Sequence, residues 1–151
     1  MKNVRIRQMK IEDYDSVYAL WKTIQGFGIR SIDDSRDGVA RFIKRNPSTR
    51  IVAEENGQIV GAILCGHDGR IGCFYHVCVE KSHRKHGIGK AMAVAAMKAL
   101  KEEHINKVCL IAFADNTGGN AFWKEIGWTK RCDVNYYDFT LNDENITAFN
   151  C

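Results

Sequence analysis

The chain has 151 residues, the length of one ordinary domain, and at that length folding buries roughly 68–70% of the unfolded surface. A content of 45% hydrophobic, 10% aromatic and 26% charged residues excludes disorder, collagen and a coiled coil. The 22 Lys and Arg against 18 Asp and Glu leave a net charge of +4, too small an excess to imply nucleic acid. Val4 to Met9 alternates as a short strand. Asp13 can cap the helix that follows, whose Val17, Leu20, Trp21 and Ile24 recur at helical spacing. A polar, glycine-containing loop from Gln25 to Asp34 leads to a second amphipathic helix carrying Val39, Phe42 and Ile43. Asp33, Asp34 or Ser35 can cap it, and Pro47, the one proline of the chain, follows its end. Arg50 to Glu54 then turns at Glu55-Asn56-Gly57 into Gln58 to Cys65, an Asn-Gly hairpin signal. His67-Asp68-Gly69 turns again into Gly72 to Val79, giving an antiparallel meander. A long helix is expected from Gly87 to His104. The apolar run Val108 to Phe113 reads as a buried strand parallel to its predecessor across that helix. A short helix from Gly118 to Ile126 ends at Gly127, where a glycine C-cap is expected. Asn135 to Leu141 closes as a last strand, and the polar tail from Asn142 reads as loose. The order β-α-α-β-β-β-α-β-α-β predicts an α/β (α+β type) fold, a mixed sheet with helices on both faces.

The cysteines, Cys65, Cys73, Cys78, Cys109, Cys132 and Cys151, form no Cys-x-x-Cys pair and no zinc spacing. Alternation along Gly72–Val79 sends Cys73 to one face and His76 and Cys78 to the other, so no metal is expected there. Free thiols used as small hydrophobes imply a reducing, cytoplasmic setting. Met1-Lys2-Asn3-Val4-Arg5 leads into no apolar leader, and no run approaches the ~20 residues of a membrane span.

The chemistry is concentrated in the strand–turn–helix Val77-Cys78-Val79-Glu80-Lys81-Ser82-His83-Arg84-Lys85-His86-Gly87-Ile88-Gly89-Lys90. Gly87 and Gly89 let the backbone approach a ligand, and a helix start offers unpaired N–H groups to an anion. Lys81, Arg84, Lys85 and Lys90 surround the turn with positive charge, and His83 and His86 are further donors. The natural ligand is a phosphate or pyrophosphate; a tight turn with a solvated basic rim is the plain alternative. A Walker A loop is excluded by Arg84 and Ala91, and a dinucleotide fingerprint by Met92.

At Arg84-Lys85-His86-Gly87-Ile88-Gly89 the sequence resembles the GNAT N-acyltransferase superfamily, whose signature is Gln/Arg-x-x-Gly-x-Gly/Ala. A second element of that family has its counterpart in Asn116-Thr117-Gly118-Gly119-Asn120-Ala121-Phe122-Trp123-Lys124-Glu125-Ile126-Gly127-Trp128. The resemblance spans residues 4–141 and is to small stand-alone bacterial members. It implies a mostly antiparallel sheet with one parallel, splayed strand pair, and an acetyl-CoA-dependent N-acetyltransferase working by direct transfer in a ternary complex. By the resemblance, Arg84, Lys85, His86, Gly87, Ile88, Gly89 and Lys90 hold the pyrophosphate of acetyl-CoA. Val77 and Val79 offer backbone bonds to the pantetheine arm, and an N–H near Cys78 or Val79 polarises the acetyl carbonyl.

Asn116 stands where the family often touches the cofactor; it is equally suited to capping a helix. Trp123 occupies the position at which many members have a tyrosine that protonates the leaving thiolate. An indole N–H donates a hydrogen bond but is no general acid. The inward positions of the strand before the turn, where members often place the base, are Cys73 and Tyr75. Glu80 and His76 are aimed away from them by alternation, while Tyr136 and Tyr137 are further candidates. Arg30, Asp33 and Asp34 in the loop after the first helix can meet the amine acceptor, a small molecule or a protein. Other readings are a CoA-binding module without useful catalysis, and a nucleic-acid binder, which the modest charge disfavours. No membrane partner is expected, and the adjacent tyrosines of Asn135–Leu141 suit a homodimer interface.

Overall fold

The computed structural model describes residues 3–151; Met1 and Lys2, at the start of the leader reading, lie outside the described residues. Five strands form one sheet in the order β1-β3-β4-β5-β6. They are β1 (Val4–Gln8), β3 (Ile51–Glu55), β4 (Gln58–His67), β5 (Gly72–Val79) and β6 (Val108–Leu110). The first four pair antiparallel, and β6 joins β5 in parallel. Helices α1 (Tyr14–Thr23) and α2 (Arg36–Arg45) cover one face, and α3 (Ile88–Glu102) and α4 (Thr117–Glu125) serve the other. As the middle strand, β4 is apolar from Ile59 to Gly66 because both of its faces are buried there. Its Ala62 and Leu64 join Val17, Trp21 and Val39 in one core, while Ile63 and Cys65 join Phe74, Met92 and Leu100 in the other.

Local signals act largely as expected. Asn56 and Gly57 both take left-handed φ, 50° and 81°, which is the two-residue hairpin geometry that Asn-Gly favours. Of the three candidate caps for α2 it is Ser35 that serves, its Oγ accepting the Gly38 N–H at 3.1 Å. Asp13 stands at the N-cap of α1 but does not cap it with its side chain. Its carboxylate instead accepts two hydrogen bonds of 2.8 Å from Arg7 and one from the Lys10 N–H. The Arg7 guanidinium holds that carboxyl below its ordinary range.

Two expectations fail at the C-terminal end. Asn135–Leu141 forms no strand: the described backbone from 129 to 141 enters no ladder, and Tyr136, Tyr137, Phe139 and Leu141 are exposed. Alternation is a local property, whereas a strand needs an edge about 4.8 Å away to bond to. The neighbouring edge is short, since of Val108–Phe113 only the first three residues are strand. The polar tail, in contrast, is docked. Thr147–Phe149 forms β7, which pairs antiparallel with β2 (Gly28–Arg30) from the loop after α1. The Asn150 amide donates to the carbonyls of Trp21 and Ile24 at 2.7 and 2.8 Å, pinning the tail to the end of α1.

Candidate active site

The site is set by where β5 and β6 part. They pair only from Gly72 opposite Val108 to Phe74 opposite Leu110. From Tyr75 to Val79 the outer edge of β5 has no strand beside it among the described residues, a free run of about 13 Å at ~3.3 Å per residue. The Glu80 N–H bonds Val60, so by strand alternation the N–H and C=O of Val79 and Val77 point to the free edge, and those of Cys78 point to β4. Arg84 folds back along this edge, its Nε donating to the Val79 carbonyl at 3.0 Å.

At the far end of the edge lies the glycine turn. Lys85 and Gly87 take φ of 63° and 84°, conformations open to glycine and costly for most other residues. Gly87 is the N-cap of α3 and supplies no side-chain cap, so the first N–H groups of a 15-residue helix, from Ile88 to Lys90, face outward without intrahelical partners. Lys81, Arg84, Lys85, His86 and Lys90 are exposed around them. His83 is not a free donor: its two ring nitrogens are bound to Glu80 and Glu55. Glu80 above all, then Glu55, raises its pKa, and Glu80 in turn is lowered by Ser82 and His83. Gly89 serves packing as well, since a Cβ there would lie 3.2 Å from Phe122 of α4.

At the near end of the edge, β5 carries a bulge. Leu64 opposes Tyr75 but Ala62 opposes Cys78, so β5 has one residue too many, and His76 takes φ of 50°. The bulge resets the alternation. Tyr75 meets Phe42 edge-on, and His76 lies on the rings of Trp21 and Phe27, both on the α1–α2 side, while Val77 and Val79 pack with the α3 side. The expectation that His76 faces away from Cys73 and Tyr75 is thereby corrected. Among the described residues no group of three His, Cys, Asp or Glu side chains is placed to hold a metal.

The expected catalytic side chains fare unevenly. Burial pushes the Tyr75 hydroxyl up to about 12 and the Cys73 thiol up to about 11, so both keep their protons at neutral pH. Cys78 is buried in the core beneath α1, which pushes its thiol up to about 12. Trp123 packs behind the fork with its ring centroid 6.0 Å from Phe74 and 4.8 Å from Trp128. Asn116 caps α4, its Oδ1 accepting the Gly119 N–H at 3.0 Å. On the acceptor side, Arg30 and Asp33 are exposed and paired at 3.5 Å. Tyr136 and Tyr137 stand free in solvent.

Asp34 is the exception, a carboxylate only 4% exposed. It accepts the Arg30 N–H at 2.7 Å, and both its oxygens lie 2.9 Å from His76 Nε2. Sequence reasoning named Asp34 for the acceptor and set His76 aside. No local pattern marks the bulge that joins them.

This combination of a forked sheet, a free strand edge and a helix N-terminus at its end agrees with the fold that the resemblance to the GNAT superfamily implies. The model of the acetyltransferase (GNAT) family matches residues 14–128. An acetyltransferase of Pectobacterium atrosepticum is 30% identical over 113 residues, covering 75% of this chain and 79% of that protein. The structure of the PaiA N-acetyltransferase of Thermoplasma acidophilum with coenzyme A superposes with a TM-score of 0.73 at 15% identity, over 95% of this chain and 96% of the other. The ribosomal-protein-alanine N-acetyltransferase of Brucella melitensis biovar Abortus 2308 gives 0.65 at 19% identity, over 91% and 99%. The chain belongs to the GNAT acetyltransferase family. It is an acetyltransferase of the acetyl-CoA-dependent kind.

Proposed function

We propose that the protein moves the acetyl group of acetyl-CoA to a primary amine, of a small molecule or a protein, by direct transfer in a ternary complex. The observation that carries this reading is the unpaired edge of β5, which runs from the fork at Tyr75 to the uncapped start of α3. In this reading the pyrophosphate rests on the N–H groups from Ile88 to Lys90, with Arg84, Lys85 and Lys90 offsetting its charge and His86 as a further donor. The pantetheine arm bonds to the edge groups of Val77 and to the N–H of Val79 as an added strand would, the Val79 carbonyl being held by Arg84. The acetyl group then lies at the bulge, where Asn116 and Trp123 flank its far side and the Cys73–Tyr75 face orders a water.

The amine approaches past Arg30, Asp33 and Tyr136, on the side of the β2–β7 ribbon. The six free cysteines fit a reducing cytoplasm. The exposed apolar run Val134–Leu141 fits pairing with a second copy of the chain.

Isothermal calorimetry with acetyl-CoA tests the reading, using the parent and Gly87→Glu. A glutamate at Gly87 sets a negative charge against the diphosphate and strains a left-handed position. Saturable binding in the parent and at least tenfold weaker binding in the variant are expected; equal binding would remove the pyrophosphate from this turn. The packing of Trp123 and the protonated Tyr75 and Cys73 favour a second reading, a CoA-binding module without turnover. Tight acetyl-CoA binding without CoA release across a panel of amines distinguishes it.

A further inference from the structure

An amine acceptor must lose a proton before attack, because an alkylammonium with a pKa near ~10.4 is mostly unreactive at neutral pH, and it loses a second as the C–N bond forms. Tyr75 and Cys73 are protonated and take no proton there. His76 is different in kind. It stands in the bulge, two residues past the last β5–β6 pair, and a left-handed φ turns its ring under the acceptor loop. Its ring centroid is 4.7 Å from that of Phe27 and 4.8 Å from that of Trp21, apolar walls that keep water from crowding it.

The partner of His76 is equally specific. Both Asp34 oxygens reach Nε2, and an ionised carboxylate only accepts, so Nε2 carries the hydrogen, and in the neutral ring it is Nδ1 that presents the lone pair. Nδ1 makes no hydrogen bond among the described residues and is not sealed from solvent. Asp34 is itself held, by the Arg30 N–H on its carboxylate and by the Tyr14 hydroxyl, which donates to its carbonyl at 2.6 Å. A buried carboxylate fixing one nitrogen of an imidazole whose other nitrogen is open is the arrangement that general-base histidines use.

We propose that His76 is the catalytic proton acceptor of the acetyl transfer and that Asp34 is its positioning residue. This rests on the acetyl-transfer reading above. Nδ1 of His76 takes one proton from the bound ammonium and passes it to solvent; the amine nitrogen then bonds to the thioester carbonyl carbon as its second proton passes to Nδ1. The carbon–sulfur bond then breaks with its electron pair on sulfur. The thiolate takes a proton from solvent, the imidazolium returns one to solvent, and amide and free CoA leave with charge balanced.

Two measurements test this. Long-range proton–nitrogen NMR on the 15N-labelled protein reads the tautomer without any substrate. His76 Nδ1 is expected as the unprotonated nitrogen in the parent, with the two tautomers mixed in Asp34→Asn. A protonated Nδ1 in the neutral ring overturns the proposal whatever the activity. CoA release is then followed with an alanine-starting peptide, spermidine and kanamycin as acceptors. His76→Gln is expected to lose about 100-fold or more in kcat, and Asp34→Asn about tenfold, with acetyl-CoA affinity by calorimetry within twofold of the parent. His76→Gly, compatible with the left-handed φ, is expected to regain at least tenfold in kcat with 50 mM free imidazole, which leaves the parent unchanged. A folded His76→Gln that binds acetyl-CoA and turns over within threefold of the parent refutes the proton role and leaves the acetyl-transfer reading standing. A parent that binds no acetyl-CoA brings both down.

Discussion

Gly38→Ala tests how tightly the acceptor loop is wedged against α2. A Cβ at Gly38 would lie 2.3 Å from the Ile32 carbonyl oxygen, 2.4 Å from that of Asp33 and 2.7 Å from the Asp33 carbonyl carbon. All three are backbone atoms, so no side chain can swing aside, and the loop must retreat until the contacts exceed about 3.0 Å. The Ile32 oxygen cannot move alone. It accepts the Ser35 hydroxyl at 2.6 Å, and Ser35 Oγ in turn caps α2. Overpacking of this sort costs about 1–3 kcal/mol, and a weakened cap adds up to about 1 kcal/mol. Alanine returns at most about 1 kcal/mol through helix propensity. The net loss of about 1–3 kcal/mol corresponds, at about 2–4 °C per kcal/mol for a chain of this size, to a Tm lower by roughly 2–12 °C. Thermal unfolding followed by far-ultraviolet circular dichroism measures it. Gly118→Ala, in the first turn of α4 with nothing within 4 Å of its Cβ, is the matched control and is expected to hold or raise Tm. A Gly38→Ala protein as stable as the parent would refute the wedge. Since Asp34 follows the displaced residues, the same variant is also expected to lose acetyl transfer beyond what its stability explains.

Two further predictions concern charge and assembly. His83 has a raised pKa, so its contribution is full below about 6.5 and fades as pH rises through the raised value; Glu80, being lowered, contributes above about 4.5 and fades as pH falls. The Tm deficit of His83→Gln is therefore expected to be largest near pH 6 and to shrink by pH 9, with a ceiling of about 1 kcal/mol for so exposed a network; a deficit that grows toward pH 9 contradicts the assignment. If the exposed run Val134–Leu141 pairs two copies, light scattering at micromolar concentration gives a dimer mass and Tyr137→Asp with Phe139→Asp gives a monomer. A parent of monomer mass at that concentration overturns the pairing.

Much of this protein was legible in the residues themselves. The Asn56-Gly57 hairpin, a cap for α2 among Asp33, Asp34 and Ser35, and the strand limits of Gly72–Val79 follow from short-range steric and hydrogen-bonding preferences that neighbouring residues satisfy among themselves. So does the glycine turn, because a left-handed Gly87 before an uncapped helix is written in a handful of adjacent positions. Tertiary structure decided the rest. The bulge at His76 is a matter of the register between β5 and β4, which no window of alternation contains. The Asp34–His76 bond joins residues 42 apart, and Asn150 reaches back to Trp21 across the whole fold. Asn135–Leu141 has the strand period and no paired edge, while three residues of the tail after it, Thr147–Phe149, too few to show a period, pair with β2. Period and propensity are properties of one segment; pairing is a property of two, and its free energy exists only when the chain has brought both to the same place.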